Sequence, residues 1–368
     1  MGLANFVTKG RSLTNTGKIS SVLAVALIAA ASWWAYGRYV RIPTNVAYVT
    51  EEDGGAISVI DLKTLTVINR MVPQDVAPRG EAVTPGGRYL FTGNKNTSDA
   101  TVFDTRMLRF VSRIPVGDNP EFVKLAPGGD WIFTSFEPGS TPGPPVEGKG
   151  ADGDDTGPPS RVVSFHVGDW TRGKAFTAGI QTEGLEFSAD GKTLLVANEA
   201  QNTIGVYDVA SGQQTATVDL NATGKRPRGV KRSPKGDGYA VTMEGSGTLA
   251  LLDNTLKVTR TAVTAAKPYG VAFDRSGQRL FVAAAAAQKF QVYSASSLQL
   301  MGEVPVGKRC WHFTFTPDDA QILLACGRSN NVYVIDANSY KVTKVIDGFQ
   351  TPWGVVAYPH SFGSLDLP

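Results

Sequence analysis

The residues best placed to do chemistry recur at one position of a repeated segment. Seven segments open with Pro, Thr or Cys and lead into an apolar strand, and the second residue of each is charged or aromatic. These seven residues are Arg79, Glu121, Glu183, Arg228, Tyr269, Trp311 and Trp353. Carboxylates, guanidinium groups and aromatic rings that converge on one place are typical of a ligand or partner site. The pattern predicts such a site if the fold brings the seven positions together.

The third residue of each segment differs in two of the seven segments. It is Gly in five segments and Phe122 or His312 in the other two. We include His312 in the predicted binding site because it follows Trp311 directly. The alternative is a ring of Arg–Glu pairs that satisfies itself and plugs a channel, which would account for the charges but not for two exposed Trp residues.

A repeat of about 42 residues supplies the elements that position these side chains. The consensus P-x-G-x-x-x-(S/T)-P-(D/G)-G-x-x-L-(F/V)-(V/T)-(A/T)-N is followed by a short apolar strand that often ends in Asp. The strand-ending residues are Asp61, Asp104, Asp208, Asp253 and Asp336, and two further copies lack the Asp. Four short strands per unit of this length are typical of a β-propeller.

The two ends of the repeat region complement each other. Residues 46–72 supply three strands without an inner one, and residues 351–357 supply an inner strand alone. Joining them in one blade closes the ring and removes exposed sheet edges. The sequence therefore predicts an all-β, seven-bladed β-propeller over residues 42–360, with N- and C-terminal strands in one blade and a tail at 361–368.

The first 41 residues have the character of a targeting segment. They hold five Lys or Arg and no acidic residue, and an apolar run, 19–31, is followed by Trp33, Trp34 and Tyr36. This pattern predicts a cleaved secretory signal or an uncleaved apolar anchor helix, and both place the protein on the periplasmic side of the bacterial inner membrane. The rest of the chain carries 31 basic and 33 acidic residues, which argues against nucleic-acid binding.

One long insertion interrupts the third repeat. Residues 137–160 are rich in Pro and Gly and poor in apolar residues, which predicts a loop without a core of its own. Its position between the second and third strands of that blade places it on the same face as the seven positions. The acidic run 152–155 lacks the spaced ligands of a calcium loop.

The two cysteines, Cys310 and Cys326, lie on consecutive predicted strands of the seventh blade. A hairpin centred near Asp318 would set them opposite each other, about 5 Å apart, within reach of a disulfide. Two unpaired buried thiols are an alternative. A third is a soft metal site for copper or zinc built from Cys310, His312 and Cys326, although it lacks a clear fourth ligand.

Few catalytic motifs are present. The sequence has no G-x-S-x-G, H-E-x-x-H, phosphate-binding loop or C-x-x-C-H motif, and its three histidines leave little room for a His-based acid–base site. Glu121 and Glu183 could act as an acid–base pair, but the sequence does not fix their separation. No cofactor can be named from these residues.

The repeat resembles the YVTN-type β-propeller family, since Ala47-Tyr48-Val49-Thr50 nearly matches its naming motif. A narrower resemblance, to the PQQ-dependent catabolism-associated β-propeller proteins, rests on segments 118–129, 226–236, 306–336 and 351–359. It covers residues 45–360 apart from the insertion. The resemblance implies an exported accessory protein of alcohol oxidation by quinoprotein dehydrogenases, with no catalytic residues to carry over.

Three functions follow as alternatives. The first, which the sequence favours, is an exported, non-catalytic propeller that binds a periplasmic or inner-membrane protein partner, or a small redox ligand, at the seven positions. The second is an enzyme or enzyme subunit, either a lactonase-like hydrolase or an oxidoreductase subunit. The third is a purely structural envelope protein.

Overall fold

The computed structural model describes residues 25–29, 32, 43–73, 76–139 and 157–367. Most of the predicted signal or anchor segment, 1–41, lies outside these residues, and 25–29 and 32 are helical. In the part of the chain that is described, no helix has both the length and the apolar character needed to cross a membrane.

The described residues of the unit 43–368 form seven four-stranded antiparallel sheets. Blade 1 contains β1 (Val46–Glu51), β2 (Ala56–Asp61), β3 (Thr66–Met71) and the last strand, β28 (Pro352–Tyr358). Blade 2 contains β4 (Pro78–Val83), β5 (Tyr89–Asn94), β6 (Asp99–Asp104) and β7 (Arg109–Pro115). Blade 3 contains β8 (Pro120–Leu125), β9 (Trp131–Phe136), β10 (Arg161–His166) and β11 (Arg172–Thr177).

The remaining blades repeat this order. Blade 4 contains β12 (Thr182–Phe187), β13 (Thr193–Asn198), β14 (Thr203–Asp208) and β15 (Gln214–Asp219). Blade 5 contains β16 (Pro227–Arg232), β17 (Tyr239–Met243), β18 (Thr248–Leu252) and β19 (Val258–Val263). Blade 6 contains β20 (Pro268–Phe273), β21 (Arg279–Ala284), β22 (Lys289–Ser294) and β23 (Leu300–Pro305). Blade 7 contains β24 (Cys310–Phe315), β25 (Gln321–Cys326), β26 (Asn331–Asp336) and β27 (Val342–Asp347), and two short 3₁₀ helices lie at Pro85–Gly87 and Gly327–Ser329.

The predicted closure of the ring is confirmed. Strand β28 pairs antiparallel with β1, with Val356 opposite Tyr48, so the last strand is the inner strand of blade 1. Each inner strand contacts the inner strands of the two neighbouring blades, and β28 contacts both β24 and β4. The seven inner strands therefore surround one central axis.

The strand-ending Asp residues that mark the repeat have a local structural role. The carboxylate of Asp61 accepts hydrogen bonds from the main-chain N–H groups of Lys63 and Thr64, and Asp336 accepts from Asn338 and Ser339. Such bonds stabilise the tight turn that follows the strand. The most visible signal of the repeat is thus a turn signal rather than a functional one.

Glycine at the third position of the inner strands is required by the close approach of neighbouring blades. A Cβ atom on Gly184 would lie 2.4 Å from the carbonyl oxygen of Arg228, and one on Gly270 would lie 2.4 Å from that of Trp311. Real Cβ atoms do not come this close to a backbone oxygen, so the inner strands can pack this tightly only where the position lacks a side chain.

Cys310 and Cys326 form a disulfide bond, and the two residues are paired directly across β24 and β25. Both are buried, at 1% and 0% exposure. The alternatives of two free thiols and of a metal site with His312 do not describe this structure, because both sulfurs are consumed by the bond.

We expect the disulfide to stabilise the propeller substantially. It closes a loop with a sequence separation of 16 residues. Removing a cross-link over a loop of this size should lower the free energy of unfolding by about 3 kcal/mol. Urea unfolding of a Cys310→Ala/Cys326→Ala variant measures this loss, and wild-type protein under reducing conditions is the control. An unchanged unfolding midpoint in both would contradict the expectation.

Candidate functional site

The start of each inner strand is shaped so that its second residue points into the central channel. The residue before the strand adopts a positive φ in six blades, for example 48° at Asn119 and 57° at Arg226. The pairing with the second strand then shifts register between the first and fourth residues, as between Pro227 and Val230. Such irregularities redirect side chains that a regular ladder would hold against the neighbouring strand.

All seven residues predicted from the repeat line a single cavity of about 520 Å³ at the mouth of the channel. They come from all seven blades, so the ring closure assembles the site. His312, the eighth predicted residue, does not line the cavity and is buried at 2% exposure. The two Trp residues are also buried, at 6% for Trp311 and 2% for Trp353, which corrects the expectation of exposed rings.

A second set of charged residues faces the same cavity and was missed from the sequence. Its members directly follow the second strand of a blade, and they are Glu52, Lys95, Glu137, Glu199 and Glu244. The corresponding residues of the other two blades are Ala285 and Gly327. Aligning the repeats at the end of the second strand, rather than only at the start of the first, would have revealed this set.

Arg79 organises one side of the mouth. Its guanidinium group contacts Glu52 at 2.8 Å and also pairs with Glu121, and all three side chains are less than 10% exposed. Lys95 lies 3.6 Å from Glu52. Burial alone would raise the pKa of Glu52, but the charge and hydrogen bond of Arg79, with the charge of Lys95, together outweigh it, and the pKa lies below its ordinary value.

Arg228 organises the opposite side and is shared among three carboxyl groups. It contacts Glu244 at 2.5 Å and Glu199 at 3.2 Å, and it also pairs with Glu183. Arg226 contacts Glu199 at 2.5 Å. The guanidinium groups of Arg226 and Arg228 thus supply two positive charges to three buried carboxyl groups. Burial raises the pKa of Glu183 well above its ordinary value and also raises that of Glu199, and the attraction of Arg228 offsets it only in part.

Glu137 is the carboxyl group whose acidity best suits chemistry near neutral pH. Burial, followed by the negative charge of Glu121, raises the pKa of Glu137 to about 7. The side-chain amide of Asn119 donates to both carboxylates, at 2.8 Å to Glu137 and 3.0 Å to Glu121. A partly exposed group of this pKa can accept and release a proton at physiological pH.

Aromatic rings form the remaining wall and floor of the mouth. The hydroxyl of Tyr269 accepts a hydrogen bond from Arg228 at 3.0 Å, and the guanidinium carbon of Arg228 lies 4.7 Å from the Tyr269 ring centre. Below them, the His312 ring lies 4.4 Å from the Trp353 ring and 5.3 Å from the Tyr269 ring. The polar groups therefore surround an apolar floor.

The ends of the insertion border the same cavity. Six residues at the two ends of the insertion line the mouth: Glu137, Pro138 and Gly139 at its start, and Gly157, Pro158 and Ser160 at its end. Residues 140–156 lie outside the described part of the chain. Within the described ranges, no group of three or more His, Cys, Asp or Glu side chains is arranged to hold a metal ion.

Comparison with known proteins finds a family model that matches part of this propeller. The family model for "Lactonase, 7-bladed beta-propeller" matches residues 168–255. Within this segment, which spans less than half of the chain, the sequence is similar to that family. No curated protein matches the chain.

Several solved structures share the fold at low sequence identity. The periplasmic gluconolactonase of Pseudomonas aeruginosa superposes with a TM-score of 0.69 at 18% identity, over 87% of this chain and 99% of that one. A proposed 6-phosphogluconolactonase of Bacteroides uniformis gives 0.68 at 16% identity, over 85% and 99%. Kuenenia stuttgartiensis hydrazine synthase gives 0.66 at 20% identity, over 80% and 93%. These likenesses confirm the propeller fold.

The prediction that this protein is a non-catalytic accessory of a quinoprotein system is wrong. The family match and the enzymes among the structural neighbours favour the alternative, an enzyme or enzyme subunit. A site assembled from residues of seven blades leaves no contiguous motif in the sequence. The narrower PQQ-associated name is not confirmed by these comparisons.

Proposed function

We propose that the protein is a hydrolase of cyclic esters, with its active site at the mouth of the propeller. Glu137 carries the proposal, because it is a cavity-lining carboxyl group whose pKa is raised to about 7. Two propellers of similar structure are described as a gluconolactonase and a 6-phosphogluconolactonase. Their names support a sugar lactone as the substrate class.

The residues of the mouth can divide the work of lactone hydrolysis. Glu137, when ionised, accepts a proton from water as the water oxygen forms a bond to the lactone carbonyl carbon. The carbonyl oxygen then carries negative charge, and the Arg228 guanidinium is placed to stabilise it. Asn119, which donates to Glu137 at 2.8 Å, holds the base in position.

Ring opening needs a proton donor for the departing oxygen. The ester C–O bond breaks, the carbonyl re-forms as a carboxylic acid, and the ring oxygen takes up a proton. Glu183 is suited to this step because burial raises its pKa well above the ordinary value, which favours the protonated form that can donate. The product is a hydroxy acid, Glu137 then releases its proton to solvent and Glu183 regains one from it, and atoms balance with one water consumed.

The direct test is the hydrolysis of an aldono-δ-lactone panel, followed by pH-stat titration of the acid released. Wild-type protein should show saturable hydrolysis well above the spontaneous rate. A Glu303→Gln variant is a matched control, because Glu303 pairs with Lys289 at 2.5 Å on the outer strand β23. It should retain full activity, and no rate above background with any lactone would end the proposal.

Two further sequence-based predictions, export and a protein partner, remain proposals. The resemblance to the PQQ-dependent catabolism-associated β-propeller proteins contributes no activity to this proposal. We propose export to the periplasmic side of the inner membrane on the basis of residues 1–41 alone, and N-terminal sequencing of the mature protein tests cleavage. A protein partner is likewise a prediction that a pull-down from membranes can test.

A further inference from the structure

One groove between neighbouring blades lacks the large side chain that the other grooves receive. The turn after the third strand of each blade contains a residue of positive φ, and in six blades this residue is large, apolar and packed on a hydrophobic core. The six residues are Leu65, Leu108, Trp170, Leu256, Leu298 and Tyr340. In blade 4 the residue is Gly212, whose N–H donates to the carbonyl of Asp208 at 2.8 Å just as that of Trp170 donates to His166 at 2.9 Å.

Two of the filled grooves show what the large side chain does. The ring centre of Trp170, in blade 3, lies 5.4 Å from that of Tyr89 and 6.0 Å from that of Phe91, both on the second strand of blade 2. The ring of Tyr340, in blade 7, lies 6.4 Å from that of Phe281, on the second strand of blade 6. The turn residue of one blade therefore covers the second strand of the blade before it.

Trp131 and Phe133 occupy the same two positions on the second strand of blade 3, and Gly212 gives them no such cover. A Cβ atom on Gly212 would lie 2.8 Å from the ring of Phe176, so that ring takes the space nearest to the glycine. Trp131 stays 36% exposed. The first residue of the second strand is described in all seven blades, and only in blade 3 is it exposed.

A cavity of about 430 Å³ opens beside these two rings. Trp131 and Phe133 line it together with Val209 and residues of the turns 126–130 and 188–192. Both turns follow inner strands whose opposite ends form the mouth, so the cavity lies on the face of the propeller away from the candidate active site. A molecule bound in it would leave the mouth accessible.

The rim of this cavity carries one carboxylate without a partner. Lys174 interacts electrostatically with Asp208, and Asp190 lies 3.8 Å from Lys192. Asp130 is exposed, and within the described ranges its carboxylate has no hydrogen bond or ion pair. A positive group next to an apolar one would therefore find a partner at Asp130.

We propose that this cavity binds a partner protein that inserts a Trp, Tyr or Leu side chain with a Lys or Arg next to it in sequence. The apolar side chain takes the place that Trp170 and Tyr340 have in their own grooves, and the basic residue pairs with Asp130. The fold itself fills the equivalent grooves with these side chains, and aromatic side chains in pockets are the usual anchors of protein interfaces. The inference goes beyond lactone hydrolysis and does not depend on it.

Short peptide amides are suitable probes of this chemistry. Saturation-transfer NMR should show saturable binding of acetyl-Trp-Lys-amide to the wild-type protein. Acetyl-Trp-Glu-amide should bind about two- to fivefold more weakly, because its carboxylate faces Asp130. Acetyl-Gly-Lys-amide, which lacks the apolar side chain, should not bind. No saturable binding of acetyl-Trp-Lys-amide, or equal binding of the Gly peptide, would overturn the proposal.

Two variants place the binding in this groove. Trp131→Thr introduces the residue that blade 4 has at the same position, Thr193, and should weaken the binding of acetyl-Trp-Lys-amide by about tenfold. Gly212→Leu/Phe176→Val fills the groove as in four other blades, where Leu already adopts the same positive φ, and should abolish binding. Val is the residue at the position equivalent to 176 in blade 4, Val218.

Val263→Thr is the matched control for general stickiness. Val263 is 86% exposed on the outer strand β19 of blade 5, and its replacement should leave the affinity for acetyl-Trp-Lys-amide unchanged. Urea unfolding checks that each variant is folded. If Gly212→Leu/Phe176→Val does not fold, Trp131→Thr alone decides. Affinity equal to wild type in Trp131→Thr contradicts the proposed site.

Native mass spectrometry tests two other occupants, a second copy of the chain and a small molecule. A wild-type dimer or a retained small molecule that Trp131→Thr loses would overturn the proposal of a partner protein. In cells that produce the protein, a photo-reactive p-benzoylphenylalanine in place of Lys192, which is 80% exposed beside Asp190, should link a protein segment that holds Trp, Tyr or Leu next to Lys or Arg. Trp131→Thr should remove this cross-link, and linked segments without such a pair of residues would count against the proposal.

Discussion

Replacing Glu137 with Gln is expected to lower kcat/KM for lactone hydrolysis by about 10²–10⁴-fold, the usual contribution of a general base. Gln keeps the size of the side chain and can still bond to Asn119, but it cannot accept a proton. Because Glu137 lies at the partly exposed edge of the mouth, the fold should be retained. Initial rates over a range of lactone concentrations separate kcat from KM.

The pattern of the loss is as informative as its size. A removed base should lower kcat and leave KM within a few-fold of wild type, since Glu137 is assigned to the reaction rather than to binding. The control Glu303→Gln removes a carboxylate of the outer strand β23. Equal rates for wild type and Glu137→Gln would remove Glu137 from the mechanism.

Replacing Arg228 with Met is expected to have the largest effect on the protein as a whole. It leaves Glu183, Glu199 and Glu244 buried without the cation that contacts all three. Breaking a buried ion pair in this way should lower the free energy of unfolding by about 3–5 kcal/mol. Lactone hydrolysis should fall as well, because the oxyanion loses its positive partner.

The pH dependence of this loss has a definite sign. Without Arg228 the folded protein should favour the protonated carboxyl groups, so their pKa values rise above those of the unfolded chain. Stability is then present at low pH and is lost as pH rises through the folded pKa values. Urea unfolding at pH 5 and pH 8 should show the larger deficit of Arg228→Met at pH 8.

Two further variants separate charge from geometry at Arg228. Arg228→Lys keeps the charge but cannot reach three carboxyl groups with one ammonium, so we expect an intermediate loss of stability. Arg275→Met is the surface control, because Arg275 forms an exposed pair with Asp319 at 2.7 Å and should contribute little. A deficit for Arg228→Met no larger than that of Arg275→Met would contradict the assigned role.

The repeat made the fold predictable, and the reason is physical. The Asp and Gly residues of the turns recur because each blade needs the same backbone geometry, and their spacing alone indicates seven blades. The same alignment placed Arg79, Glu121, Glu183, Arg228, Tyr269, Trp311 and Trp353 at one mouth, and the structure brings them together.

The rest of the site was not visible in the sequence because it depends on packing between distant segments. Glu137 looked like the first residue of an unstructured insertion, and its raised pKa arises from burial beside Glu121 of another strand. The segment after residue 360 looked like a tail, yet Ser364 reaches His312 across 52 residues of sequence. The repeat shows which residues occupy equivalent positions in the blades, but it does not show which side chains are in contact.

The most direct test of the active-site assignment is the pH dependence of kcat/KM for lactone hydrolysis in wild type and Glu137→Gln, corrected for spontaneous hydrolysis. We predict that the wild-type value rises with pH through a limb near pH 7, where Glu137 loses its proton, and that this limb disappears in the variant. A wild-type profile without that limb, or the same limb in Glu137→Gln, would contradict the account.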